Sequence, residues 1–229
     1  MKISGIQRLT LLDFPGRTAC TVFTPGCNLR CPFCHNASLA LNTAEESFNE
    51  AELFSYLEKR RGVLDGVAIT GGEPLLQKDI VPFIRRIYDM GFQVKLDTNG
   101  FFPTALSDAV SSGCVSYIAM DIKNSIEKYA ETVGIRGVSL DNVLRSIAII
   151  MASGIEYEFR TTAVAEFHTP DDFEQIGSLI LGAKNYYIQK FKDSGELISS
   201  NLHPLSDEDM LKCAEKAAKY VENVGLRGV

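Results

Sequence analysis

Three cysteines fall within eight residues, in the run Cys27-Asn28-Leu29-Arg30-Cys31-Pro32-Phe33-Cys34. Thiolates at this spacing can each take one iron of a cubane cluster, which leaves a fourth iron without a protein ligand and open to a small molecule. Other chemistries use parts of the same run. Cys31-Pro32-Phe33-Cys34-His35 has the C-x-x-C-H form of haem attachment, and Cys31 with Cys34 has the form of a redox dithiol. Three thiolates with His35 or a distant group would also suit a structural zinc. The haem and dithiol readings give Cys27 no role, and the cysteines alone leave the choice open.

A loop that holds metal needs rigid elements to place it. Apolar, β-rich runs recur at 18–24, 66–70, 93–97, 116–120, 155–164 and 185–191, which predicts six strands. Segments with helical spacing lie between them, at 50–61, 80–90, 140–151 and 171–181. Strand and helix in alternation imply parallel pairing, so the expected fold is α/β, a partial, TIM-like (β/α)6 barrel made as one domain over residues 1–229. A last helix is expected to be capped by Ser206, with Asp209 three residues on, and to end near Gly225. The cysteine run and three further polar motifs follow the first four strands, so one mouth of the barrel, at the carboxyl ends, collects the chemistry. Arg160, Thr161 and Thr162 lie within the fifth strand and Gln189 within the sixth, where alternate residues face the interior. Arg160 suits either a buried ion pair or a ligand contact.

Composition narrows the partners. The chain has 229 residues, of which 45% are hydrophobic and 23% charged, enough to bury one sizeable core. Its formal charge of −6, from 29 acidic and 23 basic side chains, gives no positive footprint for nucleic acid. Neither a signal-peptide apolar core nor a membrane-length apolar stretch is found, and the expected location is the cytosol, where six cysteines are not read as three disulfides. Cys20 reads as a small buried hydrophobe, Cys213 rides a helix face, and Cys114 has a core or loop role. These three are too scattered for a second cluster, and His168 and His203 are expected at the surface.

In combination, the motifs carry a resemblance. Cys27-x3-Cys31-x2-Cys34 resembles the signature of the radical S-adenosylmethionine (SAM) superfamily, and Gly71-Gly72-Glu73-Pro74 resembles its motif for the SAM amino group. There glycines would let backbone carbonyls approach a ligand and a carboxylate would accept from an ammonium. More narrowly, the chain is similar to glycyl-radical-enzyme activases, above all the short activating proteins of anaerobic ribonucleoside-triphosphate reductase, with pyruvate formate-lyase activase as a relative. That similarity runs through Gln7-Arg8-Leu9-Thr10-Leu11-Leu12-Asp13-Phe14-Pro15-Gly16, Cys34-His35-Asn36, Asp97-Thr98-Asn99-Gly100 and Asp121-Ile122-Lys123.

The resemblance implies one [4Fe-4S] cluster on Cys27, Cys31 and Cys34. SAM would be held by Phe33, Asn36, Gly71, Gly72, Glu73, Pro74, Thr98, Asn99, Asp121, Lys123, Arg160, Thr161 and Gln189. Formate-lyase activases carry a histidine near the last strand where this chain has Gln189, a departure that favours the reductase-activating branch. A monovalent cation near Asp97 and Asp121 is also implied, as are a flavodoxin or ferredoxin electron donor and a glycyl radical enzyme as partner. In the implied reaction a reduced cluster cleaves SAM and a glycine α-hydrogen is abstracted, with no side chain acting as general acid or base. Two alternatives stand beside it: a radical SAM enzyme acting on a small molecule, resembling carboxy-deazaguanine synthase, and a zinc or dithiol binding module.

Overall fold

The computed structural model describes residues 1–43 and 48–229. Strands β1 (Gly5–Thr10), β2 (Ala19–Thr24), β3 (Gly66–Gly71), β4 (Gln93–Thr98), β5 (Tyr117–Asp121), β6 (Glu156–Ala163), β7 (Asn185–Lys190) and β8 (Asn223–Arg227) form one sheet in sequence order. β1 runs antiparallel to β2, and every later neighbour is parallel. Helices occupy the connections: α1 (Ala37–Ala40), α2 (Glu50–Glu58), α3 (Ile80–Asp89), α4 (Pro103–Ser111), α5 (Tyr129–Thr132), α6 (Asp141–Ala152), α7 (Pro170–Leu179) and α8 (Asp207–Ala217). Since β1 and β8 are edges that do not pair, the barrel is partial.

Strand alternation divides the residues into two faces. Val94 and Leu96 of β4, Ile118 and Met120 of β5, and Tyr186 and Ile188 of β7 join the main apolar core with Leu53, Ile84, Ile147 and Phe173 of the helices. Lys95, Asp97, Asp121, Glu158, Arg160 and Gln189, which alternate with core residues along the strands, face the inside of the barrel. Near the amino ends of the strands, Phe14 from the β1–β2 connection packs with Ala19, Tyr117 and Ala119 in a second small cluster. Helix starts obey local rules. Asn49 accepts from the Glu52 N–H at 2.8 Å while Glu52 accepts from the Asn49 N–H at 3.2 Å, a reciprocal cap on α2. Ser206 accepts from the Asp209 N–H at 3.1 Å, as expected for α8.

The six expected strands are six of eight. β1 was hidden in the polar–apolar alternation of the first ten residues, and β8 lies where the last helix was expected to run. α8 stops at Ala217, because the Asn223 N–H and side-chain amide both donate to the Lys184 carbonyl, at 3.1 and 2.9 Å, and draw the chain alongside β7. Gly225 therefore belongs to a strand rather than a helix end, and its missing side chain leaves room for the Tyr187 ring, 2.7 Å from where a Cβ would stand. α4, begun by Pro103, was also unforeseen. His168 is buried rather than at the surface, 1% exposed. Among the described residues no helix is long and apolar enough to cross a membrane.

Gly66 tests this packing. A Cβ there would stand 2.7 Å from the Phe14 ring and 2.7 Å from the Gln93 carbonyl oxygen. Overpacking of this kind costs about 1–3 kcal/mol, so Gly66→Ala should lower the urea midpoint at unchanged m-value. An unchanged midpoint would show that Phe14 does not seal this end of the sheet.

Candidate active site

The cysteine loop leaves β2 and is held from three sides. Gly26 donates its N–H to the Leu39 carbonyl at 2.8 Å, Arg30 donates to Val133 at 2.9 Å, and the Ser199 N–H donates to Pro32 at 2.9 Å. Leu29, Cys31 and Phe33 point into the main core. Cys27, Cys31 and Cys34 are free thiols lining one cavity of about 230 Å³. Burial pushes the Cys31 thiol up to about 12 and raises that of Cys27, so neither would stand as a bare thiolate without a metal's charge. Three thiols on one cavity wall fit a cubane that takes each sulfur on a separate iron.

The opposite wall begins at the end of β3. A Cβ on Gly71 would run into the backbone of Thr24, and one on Gly72 into the Gly26 carbonyl. Both glycines are thus required by the approach of two strand ends, before any ligand is considered. The Asn36 amide donates to the Gly71 carbonyl at 3.3 Å. Glu73 is fully buried, and its carboxylate accepts from the Leu75 N–H at 3.0 Å, the Thr98 hydroxyl at 3.0 Å and the Asn99 N–H at 2.7 Å. The acceptor expected for an ammonium is therefore committed to joining the turn after β3 to the turn after β4.

Charges from three strands complete the wall. Arg160 of β6 donates Nε to Asp121 at 2.9 Å and reaches Asp97 through Nη2 at 3.3 Å. Lys123 bonds Asp121 at 2.9 Å, and Lys95 bonds Asp97. Burial alone would raise both aspartates, but Arg160 with Lys123 holds Asp121 well below the carboxylate range, and Arg160 with Lys95 lowers Asp97. Of these cations Lys123 and Arg160 line the cavity, each already paired with a carboxylate, and Arg160 also stands 3.9 Å from Glu158. Arg160 is thus both an ion-pair partner and a lining residue, and its guanidinium stands between the two carboxylates where the resemblance implied a monovalent cation.

Phe33, Pro74, Thr98, Asn99 and Gln189 also line the cavity, with the residues already placed. Thr161 is the exception among the expected ligand contacts. Its hydroxyl donates to the Ile122 carbonyl at 2.7 Å and accepts from Tyr186 at 2.7 Å, on the helix-facing side, while Thr162 lines the cavity instead. With Arg160 facing inward, the strand's period of two requires this. His35, its ring 5.7 Å from that of Phe191, lines the cavity too, and only its place beside Cys34 marked it in the sequence. His168 supports the site from behind, its Nε2 2.8 Å from the Lys123 carbonyl and its ring 6.5 Å from that of Phe33. His203 is at the surface, paired with Glu166 at 2.7 Å.

Burial raises the Glu73 carboxyl from its ordinary 4.5 to about 7. A carboxyl raised by folding adds stability below its unfolded value, and that contribution is lost as pH climbs through the folded one. At about 1.4 kcal/mol per pH unit, the stability of the wild type relative to Glu73→Gln should fall by about 3 kcal/mol between about pH 4 and pH 8. Parallel denaturation curves of the two proteins cancel the histidine contributions, and a pH-independent difference would refute the buried placement of Glu73.

The chain is similar to known proteins. The sequence pattern of the Radical SAM superfamily matches residues 21–180. A Methanocaldococcus jannaschii protein, provisionally named glycyl-radical enzyme activating enzyme MJ1227, is 32% identical over 239 residues, covering 99% of this chain and 96% of its own. A 7-carboxy-7-deazaguanine synthase from Hyperthermus butylicus is 35% identical over 96 residues, 42% of this chain and 40% of that one. In fold, a radical SAM methyltransferase from Sphaerobacter thermophilus matches with a TM-score of 0.73 at 14% identity, over 95% of this chain and 68% of that one. The superfamily pattern spans the strands that carry the three thiols, the Gly71–Gly72 turn and the charged wall, and the chain belongs to the radical SAM superfamily.

Proposed function

We propose that the chain, acting as one unit, is an activase that installs a glycyl radical on a partner enzyme. The observation that carries this reading is similarity from end to end with the M. jannaschii protein, whose name states that activity, whereas the deazaguanine synthase matches less than half of the chain. In this proposal Cys27, Cys31 and Cys34 hold a [4Fe-4S] cluster, and Lys123 and Arg160, the lysine and arginine that line the cavity, receive the SAM carboxylate. The carbonyls of Gly71 and Gly72 accept from its ammonium, a task that the Glu73 carboxylate, with its three donors, leaves to the backbone. Phe33, Asn36, Thr98 and Gln189 line the remaining space and keep bulk water from the reacting end. When bound, the cluster and SAM supply a one-electron cleavage of a carbon–sulfur bond that ends in removal of a glycine α-hydrogen.

The partner that fits the sequence motifs is anaerobic ribonucleoside-triphosphate reductase, with a flavodoxin or ferredoxin as electron donor in the reducing cytosol. The second reading, a radical SAM enzyme for a small molecule, rests on the shorter deazaguanine synthase match.

Anaerobically reconstituted protein should hold about four irons per chain with matching sulfide. One zinc and no iron would favour the binding module instead. Reduced and mixed with SAM and the reductase, the protein should produce a glycyl-radical EPR doublet, and Cys31→Ala should abolish SAM cleavage. If SAM is cleaved yet no glycyl radical enzyme acquires the doublet, the small-molecule reading replaces this one.

A further inference from the structure

Asn99, at the carboxyl end of β4, is 6% exposed, and its N–H and both ends of its side-chain amide have protein partners. Its N–H donates to Glu73 at 2.7 Å, and its side-chain oxygen accepts from the Phe101 N–H at 3.1 Å. Its side-chain amide nitrogen lies 2.8 Å from the Asn28 side-chain oxygen and 3.7 Å from the Cys27 sulfur. The Phe101 N–H fixes which end of the amide is which: a flipped Asn99 would set two donors against each other and turn its oxygen toward that of Asn28. Its two amide hydrogens are therefore aimed at the cysteine loop, one for the oxygen and one for the sulfur. Cys27 receives a second donor, the Leu29 N–H at 3.4 Å, and these are the two N–H groups aimed at this sulfur among the described residues.

Donors on a ligand sulfur matter for electron transfer because one-electron reduction makes a cluster more negative. A hydrogen bond to the sulfur stabilises the reduced form more than the oxidised one and raises the potential. We infer that Asn99 is a positioning residue of the cluster rather than a contact for SAM. Through the Cys27 sulfur it eases reduction, and its bond to Asn28 is a separate contact with the loop. The assignment rests on Cys27 being a cluster ligand. Iron content tests that premise, and the potential tests the inference.

Two variants remove the donor. Asn99→Leu keeps the approximate shape without polar groups, and Asn99→Asp keeps an oxygen for the Phe101 N–H while losing the amide hydrogens. Each is loaded anaerobically and titrated with reductant at fixed potentials, without a partner enzyme, the reduced cluster being counted by EPR. Iron content and the dissociation constant for SAM should stay within about twofold of wild type. At a fixed potential the ratio of reduced to oxidised cluster should fall at least threefold, equivalent to about 28 mV at 59 mV per tenfold for one electron. Asn28→Ala, which removes the competing oxygen and leaves the sulfur contact, should keep the ratio within about twofold of wild type.

An unchanged ratio in loaded Asn99 variants overturns the inference. So does a tenfold loss of SAM affinity at unchanged ratio, which would make Asn99 a ligand contact. If Asn28→Ala lowers the ratio as much as the Asn99 variants, general loosening of the loop replaces the hydrogen bond as the cause. Failure of both Asn99 variants to retain iron while circular dichroism stays native would leave Asn99 an anchor alone.

Discussion

The Gly26 carbonyl accepts the Glu73 N–H at 2.8 Å, while the Thr24 carbonyl accepts the Gly72 N–H at the same distance. Those two bonds hold the beginning of the cysteine loop against the turn after β3, at a separation that admits no side chain on Gly71 or Gly72. The rest of the site extends the same circuit. Glu73 reaches from that turn to Thr98 and Asn99, and Asn99 reaches back to Asn28 and Cys27. Three loops are closed on one another by hydrogen bonds in a water-poor setting, where each bond is stronger and each loss more costly than at the surface. A ligand cavity bounded by such a circuit is largely preformed.

The charged wall obeys a different economy. Lys95, Asp97, Arg160, Asp121 and Lys123 sit on the concave face of the sheet, and Glu158, 1% exposed, is met there by Arg227 at 2.8 and 3.0 Å. Replacing such groups with apolar ones often stabilises a protein, so their presence is weak evidence about stability. Their retention makes sense as preorganisation. A guanidinium already fixed between two carboxylates pays no reorganisation cost when an anion arrives. Apolar packing is delegated to the other face, and the period of two that separates the faces also explains why Thr161 and Thr162, adjacent in sequence, have unrelated environments.

Much of this was legible in the residues. Cysteine spacing singled out the loop whose three thiols line the cavity, and the order of motifs after successive strands placed them at one mouth, because side chains that follow parallel strands must meet at the carboxyl ends. What stayed hidden had physical reasons. β1 and β8 are short edge strands whose pairing is decided by tertiary contact, and Gly225 reads equally well as a helix stop or as space for an aromatic ring. Glu73 looked free to meet a ligand because a sequence does not reveal backbone N–H groups left over at turns. His168 looked exposed because nothing local announces the two backbone groups that satisfy it.

His168 also shows how far the supporting structure extends. Burial lowers its pKa and favours the neutral ring. The Lys123 carbonyl, 2.8 Å from Nε2, calls for a proton there, and the neutral ring then leaves Nδ1, 3.2 Å from both the N–H and the carbonyl oxygen of Val164, to accept from that N–H. A protonated ring would put a positive charge behind the backbone of Lys123. The same ring packs edge-on against Phe33. One imidazole therefore braces both the cysteine loop and the lysine that helps to charge the opposite wall, and the two halves of the cavity keep their spacing through a residue that does not itself line it.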